Sequence, residues 1–238
     1  MNKSGNVECI SGIASMAMRY VLADASEAYT QKTGQRVSIA SVGGVDAARR
    51  VQQGEPFDFV VLAADVIEEL ANLGRVDASS RTDLARSDIA IAVAAGATKP
   101  DVSSEAAVRD AVLHARNIGY STGPSGAHLM RLIERWNVVD TIRTRLVKAP
   151  PGVPVATLIA REDADLGFQQ LSELMHAPSV DVVGVLPPEI QSTTTFSAAA
   201  CTASMQRAPT SALLAWLASE HTDAAKRRHG MQPARTRT

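Results

Sequence analysis

The 238 residues carry 24 Lys and Arg against 25 Asp and Glu, a net charge of −1, with 45% hydrophobic and 4% aromatic side chains. That balance excludes the basic stripe of a nucleic-acid partner, and so few aromatics exclude a stacking platform for single strands. No apolar run approaches the roughly 20 residues that cross a bilayer, so no membrane insertion is expected; a chain of this length buries a full core as one large or two small domains.

Met1–Asn6 leads directly into the stretch Val7-Glu-Cys-Ile-Ser-Gly-Ile-Ala-Ser15. No secretory apolar region precedes it, which predicts a cytoplasmic protein, or a periplasmic one if a signal has been removed. The stretch reads as a short buried strand running into a tight Ser/Gly loop and then a helix. Cys9 alternates into the strand as a buried thiol, and with Cys201 it matches no zinc or redox spacing. Met16–Lys32 places Met18, Val21, Leu22, Ala25 and Tyr29 at helical spacing, with Gly34 as the stop. Arg36–Ser41 alternates as a strand and ends in Val-Gly-Gly-Val45, which opens a helix to Gln53. Phe57–Ala63 is a nearly continuous apolar run, as in a strand covered on both faces. Asp65 caps the next helix, closed by Gly74. This is β-α three times over, the pattern of a parallel sheet flanked by helices.

Ser87–Ala95 is a further strand, and a second β-α series follows the loop Gly96–Ser104. Its elements are a helix over Glu105–Ala115, a strand Asn117–Tyr120, the loop Ser121-Thr-Gly-Pro-Ser-Gly126, and a helix carrying Leu129, Leu132, Ile133 and Trp136. Then come a short strand Arg145–Lys148, Pro150–Pro154, a helix Val155–Arg161, a strand Asp165–Phe168 ending at Gln169-Gln170, and a strand Val180–Val185. Gln191–Ala200 returns as a β-like segment, followed by helices over Thr210–Glu220 and Asp223–Arg228 and a frayed tail, Gln232–Thr238. The expected architecture is α/β with two lobes, 1–86 plus 196–238 and 87–195. Each is a mainly parallel sheet flanked by helices, joined by two hinge crossovers that suit closure around a ligand.

Four strand-to-helix junctions share one composition: Ser11–Ser15, Ser41–Val45, Ser121–Gly126 and Pro151–Val155. Any one of them reads equally as an N-cap with a turn glycine. Four in two lobes point to one anion cleft, because ligands of open α/β sheets sit at the carboxyl ends of strands, where helix starts offer unpaired N–H donors. The candidate ligand residues are Ser11, Ser15, Gly43, Gly44, Ser121, Thr122, Ser125, Pro154, Val155, Gln169 and Gln170. None of these loops matches a Walker or dinucleotide pattern, and His114, His176, His221 and His229 show no metal spacing, so no cofactor and no metal are expected.

The opening strand and helix, Gly43-Gly44, the run Gln53-Gly54-x-Pro56-x-Asp58, Ala64-Asp65, Ala164-Asp-Leu-Gly-Phe168 with Leu171-Ser172, and Gly230-Met-Gln-Pro233 together resemble the periplasmic molybdate-binding proteins. The resemblance covers almost the whole chain and implies a type 2 solute-binding fold, with an ABC permease as partner if the protein is exported. By this alignment Ser15 keeps the first-loop serine, but Gly44 stands where the molybdate binders use a second serine, and Gln170 where they commonly place a tyrosine. A lost hydroxyl leaves an oxyanion oxygen unpaired, whereas the donors and acceptors of a glutamine pair suit a carboxylate or a mixed polar ligand. Gly167-Phe-Gln-Gln-Leu-Ser-Glu-Leu and Val185-Leu-Pro-Pro-Glu-Ile-Gln are similar to a subset of the family that often lacks export signals and includes aconitate isomerase. That similarity implies a small unsaturated di- or tricarboxylate as ligand. The first expectation is therefore a binding protein for a small organic anion. The second is a cofactor-independent isomerase performing an allylic proton shift, with His128 as its acid or base and Tyr120 as a hydrogen-bond donor. A cytoplasmic ligand sensor is a third.

Overall fold

The structure, a computed structural model, describes residues 9–235. The chain forms two compact units, one built from the chain through Ala85 and again from Thr195, the other from Arg86–Thr194. In the first, β1 (Ile10–Ser15), α1 (Arg19–Thr33), β2 (Val37–Val42), α2 (Gly44–Gln52), β3 (Phe59–Ala63) and α3 (Ala64–Asn72) alternate before β4 (Thr82–Ser87). The second unit contains β5 (Ile89–Ala94), α4 (Glu105–His114), β6 (Ile118–Tyr120), α5 (Pro124–Arg135), α6 (Val139–Ile142), β7 (Leu146–Lys148), α7 (Val155–Ala160), β8 (Leu166–Gln170), α8 (Leu171–Leu174) and β9 (Val180–Val185). The chain then returns through β10 (Thr194–Ala200), α9 (Arg207–Ala218), α10 (Asp223–Arg228) and β11 (Met231–Pro233).

The first sheet runs β11-β4-β10-β3-β1-β2 and the second β7-β6-β8-β5-β9. Within the first, β1 is parallel to β2 and β3, in a register pairing Ser15 with Val42 and Ala14 with Val61. Three carboxyl ends therefore share one edge. In the second, β6 is parallel to β7 and β8, and Tyr120 stands level with Lys148 and Phe168. Strands β10, β5 and β9 pair antiparallel with their neighbours, so both sheets are mixed rather than mainly parallel.

Each sheet is buried on both faces, which explains the unbroken apolar runs. Phe59 and Val61 enter one cluster with α1 and α9, while Val60 and Leu62 enter another with α2 and α3. Ile89, Ile91 and Phe168 face α4 and α5, while Ala90 and Ala92 face α7. Each fully buried large side chain stabilises its unit by about 1.5–3 kcal/mol.

Several local expectations are corrected. Ser11 and Gly12 lie inside β1 and not in a loop, because Ser11 pairs with Ser38 and Gly12 with both Ile39 and Phe59. Cys9 precedes the first paired residue and is exposed. Asp65 is not a cap: Ala63 is the N-cap of α3, and the Asp65 carboxylate accepts from Val66 N–H one residue on. Ser125 and Gly126 belong to the first turn of α5. Gln232 and Pro233 form part of an edge strand; the tail expected to fray beyond Arg235 lies outside the described residues. Strand β4 had no counterpart in the sequence reading.

Candidate functional site

In the first unit the shared edge gathers Ser15, Gly43-Gly44 and Ala63-Ala64. Ser15 ends β1, and its hydroxyl oxygen accepts from Ala17 N–H at 3.4 Å, so the hydroxyl proton is left to donate elsewhere. A β-carbon on Gly44 would sit 3.9 Å from the Ser15 hydroxyl, so the two loops touch. Helices α2 and α3 start at Gly43 and Ala63 without a side-chain cap, leaving their first N–H groups and the positive end of each helix at this edge. This edge can bind an anion through neutral donors. It carries one acidic side chain in each first turn, Asp46, which pairs with Arg49, and Asp65.

In the second unit the corresponding edge is hydrogen-bonded within itself. The Ser121 and Ser125 hydroxyls lie 2.9 Å apart, and the Ser121 hydroxyl also accepts from Gly123 N–H at 3.2 Å. Ser125 is buried, so donation from Ser125 to Ser121 leaves the Ser121 proton for a ligand. The turn is that tight because Gly126 has no side chain: a β-carbon there would overlap the Ser121 carbonyl. Helix α7 settles equally close to β8, since a β-carbon on Gly167 would lie 2.7 Å from Val155 and Ile159. That approach brings the Val155 N–H to the Gln169 side-chain carbonyl at 2.8 Å, while the Gln169 amide N–H donates to Glu173 at 2.7 Å. Gln170 points to the other face, donates to the Thr194 hydroxyl at 2.9 Å, and is 2% exposed, its carbonyl oxygen without a hydrogen-bond partner among the described residues.

Glu173 was not among the candidates from sequence. It is half-buried on α8, and burial pushes its carboxyl up to about 7, opposed only by the Gln169 hydrogen bond. Its one legible signal was the four-residue spacing from Gln169.

The structure brings together Ser15, Gly43 and Gly44 on one edge, and Ser121, Ser125, Val155, Gln169 and Gln170 on the other; Thr122 and Pro154 flank the latter, half-buried. It does not bring Ser11 to either. Ser11 lies at the amino end of β1, where its N–H and hydroxyl meet the Asp58 carboxylate at 2.8 and 3.2 Å. Asp58 also accepts from the hydroxyl of Ser204 and the amide of Gln206, tying the returning chain to β1. Tyr120 packs its ring against the α4–α5 cluster. His128 sits in α5 with both ring nitrogens engaged: Nε2 donates to the Ile190 carbonyl at 2.7 Å, and Nδ1 faces Arg131 at 3.4 Å. Burial holds its pKa below the ordinary value. An imidazole so tied fastens α5 to the Ile190 loop and is poorly placed to exchange protons with a ligand.

The family model for bacterial extracellular solute-binding proteins matches residues 10–232. An aconitate isomerase from a Pseudomonas species is 33% identical over 232 residues, 95% of this chain and 88% of that one. Among solved structures, the Azotobacter vinelandii periplasmic molybdate-binding protein superposes with a TM-score of 0.79 at 19% identity, over 93% of this chain and 98% of that one. A periplasmic thiamin binding protein reaches 0.76 at 13% identity, over 100% and 87%. One neighbour is named for molybdate and the other for thiamin, so likeness of fold leaves the ligand open. Strand order, donor-lined strand ends and a match along nearly the whole described chain lead to one statement of kinship: this protein belongs to the bacterial extracellular solute-binding protein family.

Proposed function

We propose that the protein binds a small unsaturated di- or tricarboxylate and interconverts its cis and trans isomers, a reaction of aconitate-isomerase type. The carrying observation is the buried glutamine pair at the end of β8, with a Gln170 carbonyl that has no hydrogen-bond partner among the described residues. An amide N–H donates to a carboxylate oxygen, and the unpartnered carbonyl accepts only from a protonated carboxyl or hydroxyl group of the ligand, which a fully ionised tetrahedral oxyanion lacks. Gly44 supports the same reading, since it withholds a hydroxyl beside Ser15. The 33% identity to an aconitate isomerase across 95% of the chain is the independent support for turnover. Carboxylate donors in this reading are Ser121 on the edge of the second unit and, on the edge of the first unit, Ser15 and the first N–H groups of α2.

A receptor that delivers its ligand to an ABC permease is the second reading, favoured by the extracellular solute-binding description of the matched family. Incubation with cis- and with trans-aconitate separates the two, following ultraviolet absorbance and the isomer ratio. Convergence of both samples on one ratio supports the isomerase. Tight binding of either isomer without interconversion supports the receptor, and a thermal shift from molybdate with none from aconitate overturns both carboxylate readings. Ser15→Ala and Gln170→Ala are each expected to weaken aconitate binding about tenfold, the loss of one hydrogen bond to a charged group.

A further inference from the structure

We infer that Glu173 is the residue that carries the proton of the isomerisation, held in place by Gln169, whose amide is itself oriented by the backbone N–H of Val155. The inference rests on the carboxylate-isomerase reading and deepens it. An allylic shift needs one group that takes a proton from a methylene next to a carboxylate and returns it to the far end of the three-carbon unit. The junctions at the carboxyl ends of β6, β7 and β8 are Ser121–Gly126, Ala149–Val155 and Gln169–Leu174, and Glu173 is the one side chain in them that can do this near neutrality.

Its setting fits the task. The Val155 N–H donates to Gln169 Oε1 at 2.8 Å, which fixes the amide so that Nε2 faces Glu173 at 2.7 Å. One carboxyl oxygen is thereby anchored and the other is free to exchange a proton. Helix α8 packs on β5, β8 and β9. The first two carry no charged side chain, and β9 carries Asp181, which pairs with Lys99 at 3.7 Å. His176 follows two residues after α8, and burial, opposed by Gln169 alone, accounts for the raised carboxyl. Glu173 has no ion-pair partner among the described residues. A carboxyl that titrates near 7 is ionised often enough to take a proton and acidic enough to return it.

The step balances without a co-reactant. The methylene C–H bond breaks and an O–H bond forms on Glu173. The electron pair spreads over the allyl unit into the adjacent carboxylate. The proton then forms a new C–H bond at the other terminus, the double bond shifts by one position, and the carboxylate is regenerated.

The test uses the full chain with cis- and trans-aconitate, measuring isomerisation, binding by calorimetry and deuterium uptake from heavy water into the methylene carbon. Glu173→Gln is expected to bind aconitate within about threefold of the parent while isomerisation and deuterium uptake fall at least about 100-fold. The parent rate is expected to rise with pH through about 7. Gln169→Ala, which removes the bond that lowers the carboxyl, is expected to move that midpoint upward, a change a merely structural role would not produce. Retained isomerisation in Glu173→Gln, or an unmoved midpoint in Gln169→Ala, overturns the assignment and leaves the isomerase reading intact. A parent protein that binds aconitate without interconversion overturns that reading, and the assignment with it. Should Glu173→Gln fail to fold, the Gln169→Ala midpoint decides.

Discussion

The two strand-end edges are built from similar loops and behave differently. The edge of the first unit is the more open: beside Ser15 and Gly43-Gly44, neither α2 nor α3 has a side-chain N-cap, and Asp65 takes only the Val66 N–H of α3. The edge of the second unit is knitted: Ser121 to Ser125 and Gly123, Val155 to Gln169 to Glu173, Gln170 to Thr194. Open donors suit recognition, since they keep their full strength for an incoming anion. A knitted edge suits chemistry, since it holds a proton-carrying group and its neighbours in one geometry. The strand ends alone do not decide which role a sheet takes; the side chains that fill the space between helix starts do.

The glycines at the two edges break this contrast most sharply. Gly126→Ala drives a β-carbon into the Ser121 carbonyl, which is backbone and cannot swing aside. We expect a loss of about 3 kcal/mol in urea unfolding, the upper range for overpacking, with loss of aconitate binding. The matching change Gly44→Ala meets nothing closer than 3.9 Å, and its expected effect on stability lies within about 1 kcal/mol. Equal costs at the two positions would remove the distinction between an open and a knitted edge.

A smaller effect follows from the carboxyl in the knitted edge. Glu173 titrates near 7 in the folded protein against 4.5 for an ordinary glutamate. A carboxyl raised on folding contributes stability that is full below about 4.5 and is lost as pH rises through about 7, because the folded state then gives up a proton it favoured. Glu173→Gln keeps an acceptor for Gln169 and removes the titration. The variant is expected to lie within about 1 kcal/mol of the parent in urea unfolding free energy at pH 5 and to exceed it by about 2 kcal/mol at pH 8. A parent whose stability stays flat between these pH values would show that the carboxyl is not strained by burial.

The elements that position both edges were legible in the sequence because their burial is two-sided and local. Phe57–Ala63 read as a covered strand and Asp165–Phe168 as a strand ending at Gln169-Gln170, close to the observed Phe59–Ala63 and Leu166–Gln170, and Ser15, Gly44 and Gln170 were placed at strand ends. What was not legible depends on distant partners. Ser11-Gly12 looks like a turn, yet Ser38, Ile39 and Phe59 complete a strand around it. Thr82–Ser87 carries Asp83 and Arg86, so it does not read as an interior strand until β10 and β11 enclose it. His128 attracts notice as the histidine near a glycine loop, but the carbonyl that occupies it lies 62 residues away. Glu173 looks like an ordinary helix-surface glutamate, and only the packing of α8 on β5, β8 and β9 draws it partly out of water.

The smallest expected effect concerns ligand choice at the open edge. Gly44 has an ordinary negative-φ backbone and room for a side chain, with the Ser15 hydroxyl 3.9 Å from where its β-carbon would lie. Gly44→Ser would therefore seat a second hydroxyl beside the first at little cost to the fold. One further donor to an oxyanion, less the entropy of ordering it, contributes about 1 kcal/mol, or about fivefold in affinity. Molybdate or sulfate is thus expected to raise the melting temperature of Gly44→Ser more than that of the parent, while aconitate affinity holds or falls. An unchanged molybdate response would mean that the open edge does not select the ligand.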